Sequence, residues 1–190
     1  MLLNIMMFAK DLYTEPYHPV ERHMKRDFRG FASHYTRTQR PPMYYFIDFG
    51  LSRQYDASEK TPLEYPIFGG DKTVPEFQGN TDVLLNPFPT HIYRLGGVVR
   101  EFIDKNTGFE SLKPLVDAMI QNDPSARPTM DMVVKHFDLV RQQLSTWKLR
   151  SRVPARDESL FETLYLGATH WRRRIGFIVK RTPAIPRLQA

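Results

Sequence analysis

The chain contains no cysteine. Disulfides, thiolate metal sites and a catalytic thiol are therefore excluded, and with them cysteine hydrolases and zinc ribbons. A reducing, intracellular compartment, cytoplasmic or nuclear, is the expectation. No stretch approaches the roughly 18 apolar residues that a membrane span needs. The opening MLLNIMMFAK has an apolar run, but it has neither a basic region before that run nor a small-residue cleavage site after it, so it does not read as a signal peptide. Internal repeats and low-complexity tracts are also missing. Nor is the charge spread as in a nucleic-acid-binding domain, where a positive stripe is built into the fold. The formal charge of +6 divides unevenly: residues 1–146 carry 17 basic and 18 acidic side chains, and residues 147–190 carry 10 and 3. A near-neutral body, 1–146, thus precedes a basic tail, 147–190, and no nucleic-acid partner is expected.

What is present is enough for one domain with a core: 190 residues, 41% apolar and 25% charged. Leu12–Pro42 is rich in His, Arg, Tyr and Pro without steady apolar periodicity and reads as a long loop or insertion. Met43-Tyr44-Tyr45-Phe46-Ile47 is an aromatic and β-branched run stopped by Asp48-Phe49-Gly50, the pattern of a buried strand entering a turn. Ser52–Gly79 is irregular, with Pro62, Pro66, Gly69-Gly70 and Pro75, which is long for a structureless connection and suggests function. Three helices follow. The first runs from near Thr90 with Ile92, Leu95, Val98 or Val99, and Phe102 at helical spacing, with Gly96-Gly97 inside it. The second spans Leu112–Gln121. The third spans Thr129–Trp147, capped by Thr129, with Val133, Phe137, Val140 and Leu144 on one face.

Asp48-Phe49-Gly50 after a hydrophobic strand supplies what a phosphoryl-transfer site needs: a carboxylate at a strand end for Mg²⁺, an aromatic to pack inward, and a glycine for backbone freedom. Alone the triplet is also a common strand-terminating turn. Farther on, Val74-Pro75-Glu76 places its glutamate 28 positions after Asp48, and Asp123-Pro124-Ser125-Ala126-Arg127-Pro128-Thr129 heads a helix. These signals in this order resemble the protein kinase superfamily. The resemblance extends over nearly the whole chain, and NIMM, HYTRTQ and IDFGLSR are similar to kinase-like proteins of mushroom-forming fungi.

The resemblance implies a mainly α fold: the helical C-terminal lobe of a kinase-like domain with a small β-hairpin at its amino end and no N-terminal lobe. Asp48 matches the metal-binding aspartate of the DFG motif. Pro75 and Glu76 match the Ala-Pro-Glu that closes the activation segment, which would run over 48–76 and include Asp48, Phe49 and Gly50. Glu76 and Arg127 match the two partners of a buried structural ion pair. Asn4, at the head of the Asn4-Ile5-Met6-Met7 run, matches the catalytic-loop asparagine that holds a second Mg²⁺. On this alignment the catalytic aspartate would precede Met1, and the Gly-rich loop and the ATP-binding lysine would be missing too. Asn4 to Asp48 is 44 positions, far more than the usual hairpin, which marks 12–42 as the insertion. ATP and Mg²⁺ are the cofactors implied, and Ser/Thr protein phosphorylation is the activity, with none expected from the truncated chain alone. The family's aspartate at the start of a helix is replaced by His91, whose neutral imidazole accepts one hydrogen bond rather than several.

Several other features carry less. His18, His23 and His34 lack the tight spacing of metal ligands. Ser52, Tyr55, Ser58, Thr61 and Thr73 lie where kinases take activating phosphates, with Arg53 as a prospective partner. The 171–181 segment mixes Trp171, Ile175, Phe177 and Ile178 with Arg172, Arg173, Arg174, Lys180 and Arg181. It suits either an anionic membrane surface or a helix packed with its basic face in water. Three readings follow: a piece of a larger kinase, a non-catalytic pseudokinase-like interaction module with protein partners, or a remnant exposing apolar surface.

Overall fold

In the computed structural model, residues 4–50, 52–56, 58–59, 61–66, 73–78 and 82–186 are described. The chain is mainly helical with one two-stranded antiparallel sheet. Strand β1 (Ile5–Phe8) pairs with β2 (Met43–Phe46) in the register Ile5 to Phe46, Met6 to Tyr45, Met7 to Tyr44 and Phe8 to Met43. The helices are α1 (Pro87–Lys105), α2 (Lys113–Met119), α3 (Met130–Gln143), a single turn α4 (Thr146–Leu149), and α5 (Leu160–Val179). No helix among the described residues is long and apolar enough to cross a membrane.

The chain divides into two compact units. The first takes its described residues from Asp48–Ser145 and Arg152–Thr163, the second from Leu3–Ile47, Thr146–Ser151 and Leu164–Ala190. This partition does not follow the change of charge at 146/147. In the first unit, Arg152–Thr163 joins the helices through main-chain pairing. Thr107 N–H donates to the Pro154 carbonyl at 3.0 Å, and Arg156 N–H to that of Lys105 at 2.9 Å. Charge composition carries no information about such backbone bonds.

The first unit is built around Ile92, Leu115, Met119 and Val133, with Leu95 packed on them. Helix α1 starts where Asn86 Oδ1 accepts the Phe88 N–H at 3.0 Å, followed by Pro87, whose missing N–H costs nothing in a first turn. Gly96 is there because α2 approaches it. A methyl on Gly96 would stand 2.8 Å from Met119 Cβ and 2.8 Å from Ile120 Cγ2, whereas Gly97 has nothing within 4 Å. The Gly96-Gly97 pair is thus a contact point within a continuous helix rather than a break.

Three expectations change in detail. The residue of α1 that is buried toward its end is Ile103, not Phe102; Phe102 meets Phe109 edge-on at 5.1 Å. Helix α3 stops at Gln143, where Leu144 turns extended at ψ 121°, so Trp147 lies on α4. Strand β2 is exposed along its whole length rather than buried. A two-stranded ribbon cannot cover its own faces.

In the second unit, residues 12–42 are an ordered loop with its own small core. Isolated bridges join Tyr13 to His34, Tyr17 to Lys25 and Met24 to Phe31. Tyr13 stacks on Tyr17 at 4.0 Å, and Leu12 and Ala32 are buried.

Candidate functional site

Arg127 and Glu76, 51 residues apart, form the most completely bonded polar cluster among the described residues of the first unit. Glu76 sits in the short 3₁₀ turn Pro75–Phe77, anchored by the fully buried Val74. Arg127 ends the turn Pro124–Ala126, which Asp123 caps by accepting the Ser125 N–H and hydroxyl, each at 2.8 Å. The two side chains meet as a fork on a fork: Arg127 Nη1 donates to Glu76 Oε1 at 2.8 Å and Nη2 to Oε2 at 2.7 Å. The remaining guanidinium donors go to main-chain carbonyls, Nε to Gln121 at 2.7 Å, Nη1 to Pro89 at 3.0 Å and Nη2 to Asn122 at 3.2 Å. All five N–H groups of the arginine are thereby used. Thr90 Oγ1 donates to Glu76 Oε1 at 2.8 Å, and the Tyr93 ring lies 4.8 Å beneath the guanidinium carbon.

The arginine side chain is 0% exposed and the glutamate 8%. Burial pushes the Glu76 carboxyl up. Hydrogen bonds from Arg127, from its own backbone N–H and from Thr90 outweigh burial and hold it below the usual carboxylate range. The cluster therefore ties the 73–78 segment to the start of α1 and to the turn before α3.

Asp48 lies in the same unit, two residues past β2, with φ at +62°. That left-handed conformation is uncommon outside glycine, and aspartate is among the residues that tolerate it best. The carboxylate is exposed and makes no hydrogen bond or ion pair among the described residues. Phe49 is 66% exposed, so the inward packing expected of it is not present here. Gly50 follows without a left-handed φ, and the Ser52 N–H closes the turn on the Phe49 carbonyl at 2.9 Å. Asn4 belongs to the second unit, where its carbonyl accepts the Ile47 N–H at 2.9 Å. Leu3, Gly69-Gly70 and part of the 48–76 segment lie outside the described residues.

Beside the ion pair, the first unit has a cavity of about 320 Å³ that includes Arg53, Tyr55, Glu64, Phe77, His91 and Arg94 in its lining. Arg53, a prospective phosphate partner in the sequence, instead pairs with Glu64 at 3.0 Å. Glu64 is fixed by reciprocal main-chain bonds with Leu85, both 2.9 Å. Burial first, and then the Glu64 carboxylate, push the Tyr55 phenol up. Desolvation, and next the Arg94 charge, hold the His91 imidazole below its ordinary value, although the residue as a whole is exposed. Arg94 Nε is buried without a hydrogen-bond partner among the described residues. Sequence reasoning singled out Tyr55 and His91 separately but gave no signal that they share a cavity.

Among the described residues, no group of three or more His, Asp or Glu side chains converges as metal ligands would. His18 Nδ1 accepts the Val20 and Glu21 N–H groups at 3.3 and 3.0 Å, a local loop closure. Comparison with protein-family models, with curated proteins and with solved structures finds no match for the chain.

Proposed function

We propose that this chain carries the helical lobe of a protein-kinase-like fold and contributes the metal-holding and segment-ordering groups of ATP-dependent Ser/Thr phosphotransfer. The observation that carries the reading is the Glu76–Arg127 fork, buried at 2.7 and 2.8 Å between the two segments whose motifs resemble the ends of the kinase pattern. A clamp between such distant residues is what that pattern needs to hold an activation segment on its lobe. Asp48, an unpaired carboxylate at a strand end, fits the hard oxygen donor that Mg²⁺ takes, and one or two such donors suffice where nucleotide phosphates complete the shell. Asn4 matches the family's second metal-binding position by its place in the sequence alone. Asp48 would hold the Mg²⁺, and the positive charge it would supply is what phosphoryl transfer needs against the negative charge that develops.

The 190 residues contain no G-x-G-x-x-G loop and no His-Arg-Asp triplet. The base and the phosphate-gripping lysine must therefore come from elsewhere for turnover, because phosphoryl transfer rests on positioning and charge stabilisation.

A second reading, a non-catalytic interaction module, is favoured by two observations: the exposure of Phe49, and a histidine, His91, where the family pattern has an aspartate. Calorimetric titration of the chain with Mg²⁺-ATP separates the two. The phosphotransfer reading expects saturable heat that Asp48→Ala removes and His23→Ala keeps. Absence of heat in the unaltered chain, or heat indifferent to Asp48→Ala, leaves the interaction module.

A further inference from the structure

The second unit contains a basic cavity that the phosphotransfer reading does not use. It has a volume of about 230 Å³, and its lining includes Arg150 beyond α4, His170, Arg173 and Arg174 on α5, and Thr38 from the 12–42 loop. No carboxylate is in that lining. Nor does any described Asp or Glu pair with Arg150, Arg173 or Arg174, although arginines elsewhere in the chain are paired.

Arg174 is 5% exposed, which is rare for a cation without an acidic partner. Its guanidinium carbon lies 3.5 Å from the Trp147 ring centroid and 4.9 Å from that of Trp171, and its Nη2 donates to the Trp147 carbonyl at 3.0 Å. Two indoles thus hold the group in one orientation. Their π faces offset part of its charge but accept none of its remaining N–H bonds in line. Its Nε is buried with no hydrogen-bond partner among the described residues, and Arg150 Nη1 is in the same condition. Arg150 Nη2 is fixed by the Thr182 carbonyl. Three guanidiniums, those of Arg150, Arg173 and Arg174, thus border one cavity, and two of them carry a buried N–H without a partner among the described residues.

We propose that this cavity binds a phosphate-class dianion, inorganic phosphate or a phosphomonoester group. Three guanidiniums without a carboxylate favour two negative charges over the single charge of a carboxylate, and arginine forks match the tetrahedral oxygens. The volume lies below the roughly 300–1,000 Å³ of ordinary ligand pockets, so the occupant is a small anion or the head of a larger group, not a whole nucleotide. The site would tie the 12–42 loop to the basic tail, giving both segments a shared role. It does not depend on the kinase-like reading.

The test is calorimetry on the full chain at fixed ionic strength, with inorganic phosphate in one arm and O-phosphoserine and a phosphoserine peptide in another. Saturable binding of any of them is expected. Preference for the peptide would identify a phosphorylated protein segment as the source, and equal binding would identify the free anion. Arg174→Gln risks unfolding because of its tryptophan contacts, so the decisive variant is the exposed Arg173→Gln, set against Arg172→Gln, which removes the same charge from outside the cavity. Arg173→Gln is expected to weaken binding about tenfold, the scale of one lost charge-assisted hydrogen bond, with Arg172→Gln near unaltered. No saturable binding in either arm, or equal weakening by Arg172→Gln and Arg173→Gln, overturns the site in favour of diffuse attraction to a basic surface.

Discussion

Arg127 illustrates why a single residue can matter more to this chain than its place in a turn suggests. Removing either partner of its bond to Glu76 leaves the other charge buried, so Glu76→Leu or Arg127→Met alone should lower unfolding free energy by about 3–5 kcal/mol. The double substitution should cost less than either single one, because it buries no lone charge. Urea unfolding of the four proteins checks this, and strictly additive losses would contradict it. The pH dependence has a definite sign. The folded-state value of Glu76 is depressed, so its contribution is present above the unfolded value and is lost as the pH falls through the folded one. Unfolding midpoints of the unaltered chain and Glu76→Gln should therefore converge as the pH falls below the ordinary glutamate range, about 4 to 5. Both residues could be singled out in the sequence only through the resemblance to the kinase pattern, which implies their pairing. The cavity holding Tyr55 and His91 could not be, since 36 positions separate them and no local pattern encodes their meeting.

Helix boundaries follow sequence most closely where a side chain makes the boundary. Asn86 and Thr129 cap α1 and α3, and Asn86→Ala should cost about 1 kcal/mol, measured by thermal unfolding. The glycines of α1 give a sharper contrast. Gly96→Ala would drive a methyl to 2.8 Å from Met119 and Ile120, and overpacking of that kind costs roughly 1–3 kcal/mol. Gly97→Ala, in open space on the same helix, should instead stabilise by up to about 1 kcal/mol through helix propensity. Destabilisation by both would mean that α1 does not tolerate alanine there for some reason other than the α2 contact. The sequence pattern identified α1 but treated the two glycines alike, because periodicity registers which residues are apolar and not which neighbour approaches them. Burial of β2 was misjudged for a related reason. An aromatic run signals a strand, but whether anything lies against it depends on elements far away in the chain.

At the scale of the whole molecule, the membership of residues 152–163 in the first unit was beyond sequence reading, because it includes main-chain pairing such as Asn106 with Ala155. The solution behaviour is easier to argue, from charge and exposed surface together. Along α5, Leu160, Leu164, Trp171, Ile175 and Ile178 recur at helical spacing and are 83, 72, 47, 55 and 47% exposed. A stripe of this length on a helix exceeds the scattered apolar residues normal for a surface and favours association. The formal charge of +6 opposes it. Salt weakens only the second effect, since the screening length shrinks from about 10 Å at 0.1 M to about 3 Å at 1 M. The chain should consequently be mostly monomeric at low ionic strength and self-associate as sodium chloride is raised. Light scattering coupled to size exclusion across a salt series measures this directly. Leu164→Lys with Ile175→Lys, both on the stripe, should hold the chain monomeric at salt concentrations where the unaltered protein associates. Dissociation on adding salt would reverse the assignment, placing charge pairing rather than the α5 stripe at the contact.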